Sequence, residues 1–399
     1  MYDMMAGVKV IEVAEHTFVP VAAMILGDWG ADVIKVERSG GDPSRNLGIP
    51  NSSKDGRSIF FEAPNRGKRS IALDLRTEEG RALLYKMVET ADVFVTNLRQ
   101  DARIKLGIEP EDIMGVNPRI IYARGTGYGP KGDMAHDGGF DFPSMWCRSS
   151  AAYMQTVPGR EPAKQPASVG DLGGGATTAG AIAAALFRRE RTGKGAIVDN
   201  SLYLFGIYIM SQMITGTGLG LTMQQPRPLE EDVNPLVSMF ETSDGRWLSI
   251  CLLMPQWWPD FATRIGHPEW IEDSRFATPQ ARMENSRALR DQLVDIFRLH
   301  DFAWWKQELN KFETVWAPLQ SPAEVAADPP ALANGYILEV ETSEGWTYQG
   351  GATPAQFDEQ PLGKTRAAPG YGEHSDAVLA EYGFGADEIA ALRARGVIQ

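Results

Sequence analysis

Asp171 stands directly before Leu172 and a run of three glycines, Gly173-Gly174-Gly175. A carboxylate beside glycines at the start of a helical pattern can do one of two jobs. As a helix cap it would accept orphan N–H groups and favour the helix dipole. As a nucleophile it would use the missing side chains to let a bulky thioester approach, with exposed backbone N–H groups stabilising an oxyanion. The jobs compete, because a carboxylate committed to capping attacks poorly. This segment alone leaves both open.

Other chemistries lose ground because their signatures are missing. The first strand pattern runs into Ala14-Glu15-His16-Thr17-Phe18-Val19-Pro20, without the glycines that bring a turn close to a dinucleotide pyrophosphate. There is no Walker-type phosphate loop, Gly-x-Ser-x-Gly elbow or His-Glu-x-x-His pair. His16, His136, His267, His300 and His374 are scattered, so no metal site is expected. Cys147 and Cys251 lack metal spacing and read as reduced thiols. The formal net charge of -13 disfavours nucleic acid and anionic membranes, although a local basic cluster still suits a polyanionic small molecule. The N-terminal stretch lacks the apolar core of a secretory signal, and the apolar run 176–187 falls well short of the ~20 residues that span a bilayer. A soluble, cytoplasmic protein is the expectation.

The elements that must position Asp171 follow an α/β pattern. Strand patterns at 8–13, 32–38, 70–75, 92–96 and 119–123 alternate with helical ones, which argues for a parallel sheet covered on both faces. A helix is expected over Ala179–Arg191, after the glycines, with Gly193 beyond it. The predicted domain plan has a large domain over 1–215, a linker over 216–234 and a small domain over 235–337. A return linker over 338–372 then leads to a segment, 373–399, that completes the large domain.

Ordered short segments across the chain carry a family resemblance. They include Gly7-Val8-Lys9-Val10-Ile11-Glu12, Gly30-Ala31-Asp32-Val33-Ile34-Lys35-Val36-Glu37-Arg38 and Gly41-Asp42-Pro43. Asn65-Arg66-Gly67-Lys68-Arg69-Ser70, Ala91-Asp92-Val93-Phe94-Val95-Thr96-Asn97, Gly127-Tyr128-Gly129, Arg191-Thr192-Gly193-Lys194-Gly195 and Gly372-Glu373-His374-Ser375 continue it. Together they resemble the class III CoA-transferases of the CaiB/BaiF type. The resemblance implies a Rossmann-like large domain, a smaller α+β domain and an interlocked homodimer. It implies acyl-CoA and a carboxylic acid as substrates, with no permanently bound cofactor. It also assigns roles: Asp171 as nucleophile, Arg38, Arg76 and Lys105 as basic CoA contacts, and Leu73 and Asn97 as the wall around adenine and pantetheine. Gly173 and Gly174 would lie in the substrate pocket. One departure is Gln100-Asp101, where the family usually has Pro-Gly.

The same superfamily contains α-methylacyl-CoA racemases, which need two opposed acid/base groups at the α-carbon. Their histidine position is Phe140 here, within Gly139-Phe140-Asp141, and their glutamate position is Met254. Two missing groups tell against racemisation, with His136 upstream as a substitute base to be weighed. The stretch Ser249–Trp258 has no glycine, unlike the closing loop of formyl-CoA transferases. Phe140, Trp146, Met254, Trp257 and Trp258 suggest an apolar acyl pocket and a hydrophobic acceptor acid. A CoA-transferase is therefore expected, ahead of a racemase or a CoA-binding protein without turnover.

Overall fold

Six parallel strands form the central sheet: β1 (Lys9–Val13), β2 (Asp32–Glu37), β3 (Arg69–Ala72), β4 (Val93–Thr96), β5 (Ile121–Thr126) and β6 (Ala196–Ser201). Their spatial order is β3-β2-β1-β4-β5-β6. The computed structural model describes residues 2–47, 56–311 and 313–399. Apolar residues on both faces of each strand explain why this sheet is parallel and sandwiched by helices. Val10, Val33, Val95 and Ile121 enter one core, while Ile11, Ile34, Phe94 and Tyr122 enter the other.

The first core is built with α1 (Phe18–Asp28) and a long helix, α4, whose range is Val169–Thr192; the helices between them in sequence include α2 (Glu78–Val88) and α3 (Gln100–Leu106). Helix α5 (Leu202–Ile209) follows β6 directly. Thr77 caps α2 by accepting from the Gly80 N–H. The second core is finished by the chain's last helices, which supply Val378, Leu379, Ile389 and Leu392.

The chain divides into two compact units, one formed by Met1–Tyr153, Ala163–Met223 and Pro329–Gln399, the other by Met154–Pro162 and Gln224–Asp328. The expected return linker holds structure of its own. Ile337–Glu341, Thr347–Gly351 and Thr365–Arg366 make a three-stranded sheet in the first unit. Its alternating Leu338 and Val340 pack with Leu362 and Ala367, an alternation that the surrounding glycines and prolines obscured in the sequence. The second unit has an antiparallel sheet of Val237–Glu241, Trp247–Cys251 and Val315–Pro318 with helices around it. Among the described residues no helix is long and apolar enough to cross a membrane.

Candidate active site

Strands β1 and β4 are neighbours from which the sheet grows in opposite directions, so the loops at their carboxyl ends part and leave a crevice. Glu15 and His16 follow β1, and Asn97, Leu98 and Arg99 follow β4. All of these line a cavity of about 620 Å³, together with Phe140 and Asp171. Asn97 braces this split. Its Oδ1 accepts from the Glu15 N–H at 2.9 Å, and its Nδ2 donates to the Glu15 carbonyl at 2.6 Å. The amide expected to face CoA is thus largely spent on holding the crevice.

His16 has φ of 63°, a left-handed conformation that costs a non-glycine residue of order 1 kcal/mol or more. Buried ionic groups hold it there. Asp42 Oδ1 accepts from the His16 N–H at 3.1 Å, and Lys35 Nζ donates to the Ala14 carbonyl at 2.9 Å. Lys35 is itself paired with Glu12 and Asp42 at 2.7 and 2.9 Å. Burial pushes the Asp42 carboxyl up, but Lys35 outweighs it and holds the group down at about 2.

The helix bearing Asp171 begins earlier than the sequence pattern suggested. It starts at Val169 and takes the glycine run inside its first two turns. Asp171 is therefore the third helical residue, not the cap. Ser168, in the capping position, makes no side-chain cap bond. Asp141 does that work from a distant point in the chain: its Oδ2 accepts from the N–H groups of Gly170 and Asp171 at 3.0 and 3.1 Å, and from Gln165 Nε2 at 2.6 Å. Asp141 sits just before a π-helical turn, Phe142–Cys147, a form that recurs at functional sites. Among the described residues the Asp171 carboxylate has no hydrogen-bond partner. Burial, and then the Asp141 charge, push it up to about 7. The competition between capping and reactivity is resolved by two acids, one for each job.

The glycines serve packing. A Cβ at Gly173 would lie 2.2 Å from the Phe205 ring, one at Gly174 2.7 Å from the Phe18 ring, and one at Gly175 2.6 Å from Val21. Neither Gly173 nor Gly174 lines the cavity. Their bare faces let α1 and α5 close on α4, instead of opening room for a thioester as expected.

Arg38, Leu73 and Arg76 come together around a second cavity of about 290 Å³, which shares Glu15 and Leu98 with the first. Arg38 pairs with Glu15 at 2.8 Å and Arg76 with Asp74 at 2.7 Å; both guanidinium side chains are mostly exposed. Lys105, on α3, lines neither cavity. Arg99 lines the first, packs against Gly138 and has no ion-pair partner among the described residues. Gln100-Asp101, where the family has Pro-Gly, opens α3. Phe140 is 62% exposed with its ring edge-on to His16, and His136 also lines the cavity. Met254 belongs to the second unit, where it precedes a short 3-10 turn. Trp146 and Trp258 are core residues of their respective units, and Trp257 packs partly buried against the second core. None of these tryptophans lines the Asp171 cavity. Asp141, His16 and Arg99 were missed as site residues. For Asp141 the signal was present in Gly139-Phe140-Asp141, where attention fell on the histidine that Phe140 replaces.

A doubly wound sheet with an aspartate at its crevice, its carboxylate unbonded among the described residues, defines an α/β enzyme fold with a carboxylate site. The CoA-transferase family III profile matches residues 5–375, and the chain belongs to that family. It is similar to the (R)-2-hydroxy-4-methylpentanoate CoA-transferase of Clostridioides difficile, 29% identical over 99% of this chain and 100% of that protein. The succinate–glutarate CoA-transferase of Agrobacterium fabrum is 32% identical over 94% of this chain and 95% of its own. Among solved structures, a CaiB/BaiF family protein from Brucella suis aligns with a TM-score of 0.84 and 31% identity, covering 95% of this chain and 99% of that one. The chain is accordingly a CoA-transferase, a class whose substrates are CoA thioesters and carboxylic acids.

Proposed function

We propose that Asp171 carries first the acyl group and then CoA in a transfer between two carboxylic acids. The observation that carries this reading is an Asp171 carboxylate without a hydrogen-bond partner among the described residues, lining the crevice and raised to about 7. A more basic carboxylate is a stronger nucleophile once deprotonated. Asp171 attacks the thioester carbonyl of the donor, forming a mixed anhydride and expelling CoA thiolate. The thiolate attacks the Asp171 carbonyl, giving an aspartyl-CoA thioester and the free donor acid. The acceptor carboxylate attacks that thioester and again expels the thiolate. The thiolate then attacks the acceptor's carbonyl, releasing new acyl-CoA and restoring Asp171. Each step exchanges one carbonyl substituent, so no redox partner is needed.

CoA must stay in place while detached. Arg38 and Arg76 would meet its phosphates, with Leu73 beside the adenine. Their present ion pairs are exposed and cost little to exchange for phosphate. Arg99 replaces Lys105 as the third basic contact in this proposal. Phe140 would bound the acyl group, with Met254 as a further pocket residue and a hydrophobic acid as acceptor. The working form would be an interlocked homodimer; exposed Leu204, Tyr208 and Leu219 around α5 and the following helix support subunit burial. Racemisation is disfavoured by Phe140 and Met254 at the two positions where acid/base groups would be needed.

Borohydride trapping tests the nucleophile. With acyl-CoA present, mass spectrometry should find Asp171 reduced to the alcohol, and no other carboxylate. A protein that exchanges acids yet never yields a reducible ester at Asp171 would refute the mechanism.

A further inference from the structure

The cavity around Asp171 must admit a carboxylate at the moment when, on the reading above, Asp171 itself bears CoA. Several groups on its wall are already committed, and Arg99, unpaired among the described residues, is assigned above to CoA. Arg103 is paired with Glu109 and Arg124 with Asp199. Asn97 is committed to the Glu15 backbone.

His16 differs. Among the described residues neither of its ring nitrogens is hydrogen-bonded, while its main chain is held in the left-handed region by Asp42 and its ring stands edge-on to Phe140 at 5.5 Å. Backbone strain maintained by a buried ionic cluster, on a residue whose ring does nothing for the fold's hydrogen bonding, marks a side chain placed for a ligand. We propose that His16 recognises the carboxylate of the acid that enters to accept CoA, donating a ring N–H to it beside Phe140.

The residue type suits the task. Neutral imidazole carries one N–H donor in either tautomer, so it can bind a carboxylate without bringing a permanent positive charge to the site. The cationic side chains already on the wall leave Asp171 unpaired among the described residues: burial and Asp141 raise it with no cation offsetting them. The CoA phosphates have their own basic groups on the reading above, Arg38 and Arg76 around the neighbouring cavity and Arg99 on the wall of this one, so His16 is not needed for them.

This inference rests on the Asp171 reading, and the experiment separates the two. His16→Asn and His16→Gly both tolerate a left-handed backbone, so each keeps the turn while removing the imidazole. Steady-state exchange is measured with acyl-CoA and a panel of medium-sized monocarboxylic acids, alongside borohydride trapping at Asp171. The expected result is a rise of about 10-fold or more in KM for the acid, with KM for acyl-CoA within about twofold and trapping by the donor undiminished. His16→Glu should raise the acid KM further through like-charge repulsion. An unchanged acid KM in both small variants overturns the proposal, as does an equal rise in both KM values, which would mark His16 as purely structural. Absence of trapping at Asp171 in the unaltered enzyme would overturn the Asp171 reading and this inference with it.

Discussion

The backbone N–H of Asp171 lies 3.1 Å from Oδ2 of Asp141, so the residue proposed as nucleophile receives its cap from another acid and gives none. That relationship separates two demands that a lone aspartate at a helix start cannot meet together. It also places the Asp141 carboxylate close enough to disfavour the Asp171 charge, and both groups are raised, in each case chiefly by burial.

Transfer should therefore depend on the Asp171 proton. In the proposed mechanism the anion is the nucleophile, so the rate of donor consumption is expected to rise with pH through about 7 and level off above it. Single-turnover release of CoA thiol across pH 5.5–8.5 (roughly the span set by the unshifted histidine and cysteine ranges) reads this directly. A flat profile would rule out a titrating Asp171.

The same shift costs stability. Between the unfolded value of 3.8 and about 7 the folded chain binds more protons than the unfolded one, so stability falls as pH rises through that window. Asp171→Asn removes the cost. The variant should lose at least ~10³-fold in transfer, yet melt a few degrees higher than the parent at pH 8. That gain should vanish below about pH 4. Calorimetry at the two pH values decides it, and a lower melting temperature at pH 8 would contradict the burial argument.

Asp141 can be separated into cap and charge. Asp141→Asn keeps an acceptor oxygen for the two N–H groups but deletes the charge, so the acid limb of the pH–rate profile should move to lower pH. Asp141→Ala loses both and should in addition cost about 1 kcal/mol of stability. Chemical denaturation alongside the rate profiles distinguishes them, and identical profiles for the parent and Asp141→Asn would show that the charge does not reach Asp171.

Two glycines in one helix should respond in opposite ways. A Cβ at Gly175 meets Val21 at 2.6 Å and the Phe18 carbonyl at 2.8 Å, so Gly175→Ala should destabilise by about 1–3 kcal/mol. Gly180 has nothing within 4 Å, so Gly180→Ala should stabilise by up to about 1 kcal/mol. Equal effects at both sites would mean that helix propensity, and not packing against α1, governs this segment.

The parallel sheet was legible because its strands are apolar on both faces and its helices carry ordinary stop and start residues. Asp171 stood out as an acid before a glycine run, and the ordered family segments made it the candidate nucleophile. What stayed hidden depends on contacts across the chain. Asp141 caps a helix 28 residues later, counted to its first residue Val169, and such a partner leaves no local pattern. The glycines read as open space because the Phe18 and Phe205 rings that fill it are far away in sequence. The left-handed His16 is dictated by Asp42 and Lys35, so its type alone announced nothing. The small sheet over 337–366 was masked by neighbouring glycine and proline.

Four of the first seven residues of α4 are glycine, each about 1 kcal/mol less favourable in a helix than alanine. This turn cannot sustain itself, and its order waits for Phe18, Val21 and Phe205 to arrive. We expect it to form late: in refolding followed by pulsed hydrogen exchange, amides 174–178 should gain protection after amides 182–190, and the reverse order would refute this. If Asp171 is the nucleophile as proposed, a chain still emerging then has no working one, and cannot squander acyl-CoA by hydrolysis before its site is complete.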